Sequence, residues 1–158
     1  MAGVPTHRVH GDLHLGNLLY RDGLLHVLDF DDLATGPAVQ DLWLAIPGRD
    51  AHARRQREIF IEAYERFRLF DRSTLRLIEP LRALRVIHFS TWIARRWHDP
   101  IFPATWPQFA EEGYWRQETD ELERQLALIA RDAAGDGAAV AAEEEELTNK
   151  DLFWDWEG

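Results

Sequence analysis

His10-Gly11-Asp12-Leu13-His14-Leu15-Gly16-Asn17 and, a little further on, Leu28-Asp29-Phe30-Asp31-Asp32 are the segments on which the reading of this chain turns. Between them, Asn17-Leu18-Leu19-Tyr20 and Leu25-His26-Val27-Leu28 read as two strands joined by Arg21-Asp22-Gly23-Leu24. Asp-Gly is a strong hairpin signal, because a tight turn needs residues that tolerate positive φ. In a hairpin centred on Gly23, paired residue numbers sum to about 46, which sets Asn17 opposite Asp29 at the mouth. Asp12 lies on the loop entering the same strand. Two carboxylates and an amide oxygen therefore converge. All are hard oxygen donors, which suits Mg²⁺, an ion usually held by few protein ligands plus phosphate oxygens. The remaining carboxylate can accept a proton from a hydroxyl.

Outward from this segment the pattern turns helical. Residues 33–37 read as a loop and Ala38 to Ile46 as a helix stopped by Pro47-Gly48. A second helix runs from Ala51 to Leu69, with Ile59, Ala63 and Phe67 on one face and Phe60 and Tyr64 beside them. Asp71 or Ser73 is placed to cap a third helix reaching about Trp97, which Pro80 either kinks or restarts. Asp99 to Pro107 reads as a loop, and Tyr114 to Arg131 as a last helix with Leu122, Leu126 and Ile129 on one stripe. The expected fold class is α+β, mainly α-helical, with a small β-hairpin carrying the site.

Charge and composition exclude several functions. The formal charge is −10, and residues 132–158 hold nine acids against Lys150, leaving residues 1–131 near balance. Such a chain is a poor nonspecific partner for nucleic acid or an anionic membrane. Cysteine is absent, which removes disulfides, thiol catalysis and thiolate zinc sites and fits a cytoplasmic location. No apolar run reaches the roughly 18 residues of a membrane span, and the first residues do not read as a signal peptide.

The order of catalytic-loop Asp, Asn five residues on and a later Asp resembles the core of protein-kinase-like phosphotransferases. HGDLHLGN looks like the aminoglycoside phosphotransferase and choline kinase branch. The run HGDLHLGNLLYRDG, LDFDDLATGPAVQDLW, IEAYE, LIEPLRALR, ARRW, DP-x-FP and YW is similar to the stress response kinase A family over about residues 7–130. That family is a bacterial Ser/Thr protein kinase with an aminoglycoside-phosphotransferase-like fold. The resemblance implies Mg²⁺ and ATP as cofactors and protein Ser/Thr hydroxyls as acceptors. It implies Asp12 as catalytic base or hydroxyl orienter, Asn17 and Asp29 as ligands of Mg²⁺ and its nucleotide, and His10 as a brace of the catalytic loop. Asp31 and Asp32 would be supporting acids, and Gln40-Asp41 structural.

Such kinases also need an N-terminal lobe with a phosphate-covering loop and a nucleotide-pairing lysine. Nine residues precede His10, and Lys150 is the single lysine beside seventeen arginines. The expectation is a C-terminal lobe at 1–131, an acidic mobile tail at 132–158 and no N-terminal lobe. Such a lobe alone should bind Mg·ATP weakly or not at all and transfer little. Its interlobe face and the aromatic segment Leu152-Phe153-Trp154-Asp155-Trp156 are candidate association surfaces.

Other readings stand beside this one. A small-molecule phosphotransferase for aminoglycoside, choline or homoserine shares HGDLHLGN. A non-catalytic binding or regulatory module needs no chemistry. His10, Asp12 and His14 alternate and are a lesser metal-site candidate, lacking a third soft ligand at suitable spacing. Asp41 reads better as a buried, hydrogen-bonded helix acid. Trp92, Trp97, Trp106 and Trp115 read as core before they read as a substrate groove. His26, His88 and His98 read as packed or surface histidines. Arg95-Arg96 reads equally as a solvated face or as a receiver of phosphate or acidic peptide.

Overall fold

The computed structural model describes residues 3–133, which form two compact units, 3–75 and 76–133. The first unit holds every residue of the two opening segments. Strand β1 (His7–Val9) is followed by a 3-10 turn (Leu15–Asn17), β2 (Leu18–Arg21), β3 (Leu24–Val27) and β4 (Ala34–Gly36). Helices α1 (Val39–Ala45) and α2 (Ala51–Glu65) complete it.

β2 and β3 form the expected antiparallel hairpin, but shifted by one residue. Leu18 faces Val27 and Arg21 faces Leu24, so paired numbers sum to 45. The loop is the two-residue Asp22-Gly23, both at positive φ (53° and 79°), rather than one centred on Gly23. Asn17 consequently meets Leu28, whose N–H donates to the Asn17 carbonyl at 2.9 Å. Asp29 sits one residue beyond the pairing and leaves it through a left-handed turn, φ 57°.

Residues 34–36 are a strand, not the expected loop. β4 pairs antiparallel with β1, His7 opposite Gly36 and Val9 opposite Ala34. Strands of three residues are too short to show alternation. Their pairing closes the segment from residue 10 to 33 into a loop whose two ends lie side by side.

α1 buries Val39, Leu42, Trp43, Leu44 and Ala45, so most of its circumference is core. α2 is capped by Asp50, whose carboxylate accepts the Ala53 N–H at 2.6 Å. Its buried face is not the expected one. Ile59 and Ala63 are exposed, and Phe67 lies past the helix end at 91% exposure. Ala53 and Ile61 are buried instead, with Arg57, Phe60 and Tyr64 half-buried. The reason is Arg57, which donates to the carbonyls of Ile46 and Gly48 at 2.9 and 2.6 Å. Those acceptors lie just past α1, and their pull rotates a charged position inward.

The third helix has a split start. Asp71 opens a 3-10 segment (Arg72–Leu77) by accepting from the Ser73 N–H and hydroxyl. α3 (Ile78–Arg96) then carries Pro80 in its first turn, where a missing N–H costs nothing. The second unit continues with α4 (Ile101–Thr105), a 3-10 turn (Pro107–Ala110) and α5 (Glu112–Ala133). α4 replaces the loop expected at Asp99–Pro107. The Asp99 carboxylate accepts the Ile101 N–H at 3.1 Å, which satisfies one free donor at the helix start, and Pro100 precedes the first helical residue.

Ile93, Phe102 and Phe109 form the core of the second unit, with Phe89, Trp92, Trp97, Trp106 and Tyr114 packed on them. Trp92 meets Trp106 edge to face, centroids 5.7 Å apart and planes at 86°. Three of the four tryptophans are thus core. Trp115 stays 41% exposed although its ring edge touches Phe109. On α5, Leu126 is 66% exposed and the buried positions are Glu118 and Gln125. Gln125 donates to the carbonyl of Glu79, so a polar residue fixes the α3–α5 pair where leucine was expected. His26, His88 and His98 are exposed.

No helix among the described residues is long and apolar enough to cross a membrane. The acidic run Glu143–Glu146 and the segment Leu152–Trp156 lie outside the described residues.

Candidate active site

The loop from His10 to Asn17 is built almost wholly from bonds to main-chain groups. Asp41, in the first turn of α1, receives two of them: His10 N–H to Oδ2 at 2.8 Å and Gly11 N–H to Oδ1 at 2.9 Å. One carboxylate thereby fixes two consecutive peptides, and bonds to a charged acceptor are the strong kind. The neighbouring Gln40 amide donates to the Gly11 carbonyl at 3.4 Å. Gly11 has φ 89°, and a Cβ there would run into the Asp32 carbonyl oxygen. Glycine is required by both the backbone and the space.

His10 is buried and ties the loop to the far strand. The Asp12 N–H donates to its Nδ1 at 3.3 Å, so Nε2 carries the proton and donates to the Leu28 carbonyl at 2.8 Å. Its ring also lies 5.0 Å from that of Phe30. Both ring nitrogens are engaged, which leaves no lone pair for a metal and removes the His10–Asp12–His14 alternative. Among the described residues, no group of three His, Cys, Asp or Glu side chains is placed to hold a metal ion.

Asp12 is held at every main-chain atom that can bond. Its carbonyl accepts from the His14 N–H at 2.9 Å and from the Asn17 amide Nδ2 at 3.0 Å. Its carboxylate Oδ2 lies 3.4 Å from Nε2 of the buried His14. Asn17 is also buried, and its N–H closes the 3-10 turn onto the His14 carbonyl at 3.0 Å. With Nδ2 committed to Asp12, the amide's remaining polar atom is an oxygen.

Asp29, Asp31 and Asp32 are exposed. Asp29 is coupled to the loop through Leu28, which accepts from His10 and donates to Asn17. Its left-handed backbone costs roughly 1–2 kcal/mol in a non-glycine residue, a strain that collects where a side chain must be aimed. The Asp29 carboxylate accepts the Asp31 N–H at 3.4 Å. Asp32 contributes its carbonyl as the wall against Gly11. Asp12 and Asn17 are therefore in direct contact, Asp29 is one residue removed from Asn17 and linked to Asp12 only through Leu28 and His10, and Asp31 and Asp32 shape the return segment.

Sequence reasoning treated Asp41 only as a structural acid and gave His14 no part beside Asp12. The alternation His10, Asp12, His14 was the available signal. It pointed to a metal, whereas a histidine two residues from an acid in a tight turn can also fold back upon it.

Comparison with known proteins supports the same segment. Residues 2–78 match the family model described as the phosphotransferase enzyme family. Stress response kinase A of Escherichia coli (strain K12) is 51% identical over 122 residues, 77% of this chain and 37% of that protein. The serine/threonine protein kinase RdoA of Salmonella typhimurium (strain LT2) is 47% identical over 124 residues, 78% of this chain and 38% of that protein. Stress response kinase A of Salmonella paratyphi A gives the same figures. The chain spans well under half the length of these relatives. The helix-rich α+β fold with its small hairpin agrees with the expected C-terminal lobe of a kinase-like phosphotransferase.

Proposed function

Since residues 2–78 match the family model described as the phosphotransferase enzyme family, we propose that this chain supplies the catalytic loop for ATP-dependent phosphoryl transfer to Ser or Thr hydroxyls of proteins. The observation that carries this reading is the locked Asp12–Asn17 loop. Asp12 has its N–H on His10 and its carbonyl on Asn17, so its carboxylate is presented from a backbone that cannot drift. A fixed carboxylate orients an acceptor hydroxyl and takes its proton as the oxygen attacks the terminal phosphate.

Asn17 and Asp29 are the residues for Mg²⁺. The amide oxygen of Asn17 and the exposed carboxylate of Asp29 are hard donors, and a two-ligand set fits an ion that takes its other oxygens from phosphate and water. When bound, Mg²⁺ neutralises charge on the phosphates. His10 braces the loop, Asp31 and Asp32 hold the return segment, and Asp41 sets the peptides on either side of His10. The protein acceptor is supported by the names of the relatives, stress response kinase A and serine/threonine protein kinase RdoA.

Calorimetric titration of the 158-residue chain with Mg·ATP, beside Asp29→Ala, tests the metal–phosphate part. Binding lost in the variant supports it, and equal binding sinks it. Labelled transfer is then followed to protein and to small alcohol acceptors, beside Asp12→Ala. General-base loss predicts a drop on the order of 10²–10⁴ for protein acceptors. Label on small alcohols alone would select the small-molecule reading. A biological effect retained in both variants would select the binding module.

A further inference from the structure

Main-chain bonds alone do not aim a carboxylate. Asp12 has its N–H on His10 Nδ1 at 3.3 Å, and its carbonyl takes the His14 N–H at 2.9 Å and the Asn17 amide at 3.0 Å. Those bonds fix the peptides on both sides of its Cα. They leave rotation about two side-chain bonds, the first of which has three staggered wells. A change of well carries the carboxylate away from any hydroxyl it was aimed at. That matters, because a misplacement of about 1 Å can cost on the order of 10²-fold in rate.

His14 is built to remove that freedom. Its Nε2 lies 3.4 Å from Asp12 Oδ2, and the two side chains are only 9% and 16% exposed. The ring is itself anchored through its own backbone. The His14 carbonyl receives the Asn17 N–H at 3.0 Å, at the head of the 3-10 turn Leu15–Asn17. His14 therefore bonds through its main chain to both Asp12 and Asn17, and meets Asp12 a second time through its ring. An ionised carboxylate only accepts, so the ring nitrogen facing it is one that carries a proton. His10 cannot serve in this way, since both its ring nitrogens are engaged by main-chain groups of Asp12 and Leu28.

We propose that His14 is a positioning residue for Asp12: its ring N–H holds the Asp12 carboxylate in one rotamer, so that an acceptor hydroxyl meets an oxygen of fixed direction. The inference rests on the reading of Asp12 as the base. His10 and His14 then divide the work, the first setting the backbone of Asp12 and the second its side chain. Orientation, and not the charge of the ring, is the property invoked.

Three-bond Hα–Hβ couplings of Asp12, measured by NMR on the full chain, read the rotamer directly and need no phosphoryl transfer. The unaltered chain should show the couplings of a single well. His14→Phe keeps a ring and removes the donor, and its couplings should average over wells. His14→Gln restores an N–H near the reach of Nε2 and should return the single-well pattern. Averaged couplings in the unaltered chain would overturn the proposal, whether or not the variants fold. Single-well couplings in His14→Phe would overturn it too. Loosening of residues 10–17 by amide exchange, equal in both variants, would overturn it in favour of a packing role. Labelled transfer separates the inference from the reading beneath it. Where Asp12→Ala abolishes transfer, His14→Phe should lower kcat on the order of 10²-fold with both KM values unchanged, and His14→Gln should recover most of the loss. An unchanged kcat in His14→Phe would overturn the positioning role and leave the base standing. Transfer unaffected by Asp12→Ala would sink the base and not the contact, which the couplings decide by themselves.

Discussion

The loop at residues 10–17 and the cluster around Phe109 are held by different physics. The loop owes its shape to directional bonds, each pairing a named main-chain group with a particular acceptor or donor: Asp41 on two N–H groups, His10 bridging Asp12 and Leu28, Asn17 on the Asp12 carbonyl. The cluster owes its shape to filled volume, with Phe109 in ring contact with Trp97, Tyr114 and Trp115. In the first region chemical identity matters at nearly constant volume. In the second, volume matters and identity is loosely constrained. A site that must aim a carboxylate needs the first kind of order.

Substitution in the cluster gives the largest stability effect and tests the second half of that contrast. Phe109→Ala should cost about 3–5 kcal/mol through lost burial and a residual cavity. Phe109→Leu should cost clearly less, because most of the volume remains. Urea unfolding of the two variants checks this, and equal losses would break the contrast.

Next comes Asp41. Asp41→Ala strands two partly buried N–H groups, and bonds to charged acceptors are worth roughly 1.5–3 kcal/mol each, so a loss of about 3 kcal/mol is expected. Asp41→Asn conserves volume but turns one acceptor into a donor facing an N–H. It should recover less than half of that loss by the same urea measurement. Full recovery in Asn would mean that shape, not hydrogen-bond polarity, holds the loop.

Gly11→Ala asks how much space and dihedral contribute. The positive φ and the Asp32 carbonyl together predict a cost of about 1–3 kcal/mol. Amide exchange should locate the loosening at residues 10–17 and 29–32, and a uniform change across the chain would argue against a local strain.

The smallest effect concerns Tyr114 in the second unit. Burial raises its hydroxyl above the ordinary tyrosine value of 10.0, a hydrogen bond with Ser90 opposes this, and Glu121 adds to it. The native state therefore keeps the proton to higher pH than the unfolded chain. This contribution is fully present below about pH 10 and is lost as pH rises through the raised value. Tyr114→Phe should flatten the alkaline fall in the urea midpoint measured from pH 8 to 11. An unchanged fall would mean that Tyr114 titrates as an exposed phenol.

Much of the hairpin and its loop is legible in the order of residues. Asp-Gly placed the hairpin because few dipeptides accept two positive φ values in succession, and HGDLHLGN marked the loop because its residue types are chemically constrained. The reading slipped where a single residue of loop length decides register. It took Asn17 to face Asp29, whereas the two-residue turn sets it against Leu28. It missed β1 and β4, whose pairing joins residues far apart in sequence and leaves no periodic trace. It chose the wrong stripe on α2 and included the exposed Leu126 on α5, because apolar residues alone were counted and Arg57 and Gln125 were left out. Both turn inward, since carbonyl acceptors wait for them there.

By itself, then, the sequence determined the class of fold and the identity of the loop, because these depend on residue type and local spacing. Only the tertiary structure decided which carboxylate staples the loop, which proton His10 carries, that His14 folds back on Asp12, and which helix faces are core. Apart from the local turn that folds His14 back, those outcomes depend on which donor meets which acceptor across long stretches of chain. A polar group that turns inward, against the pattern of its own helix, does so where the folded chain supplies a partner.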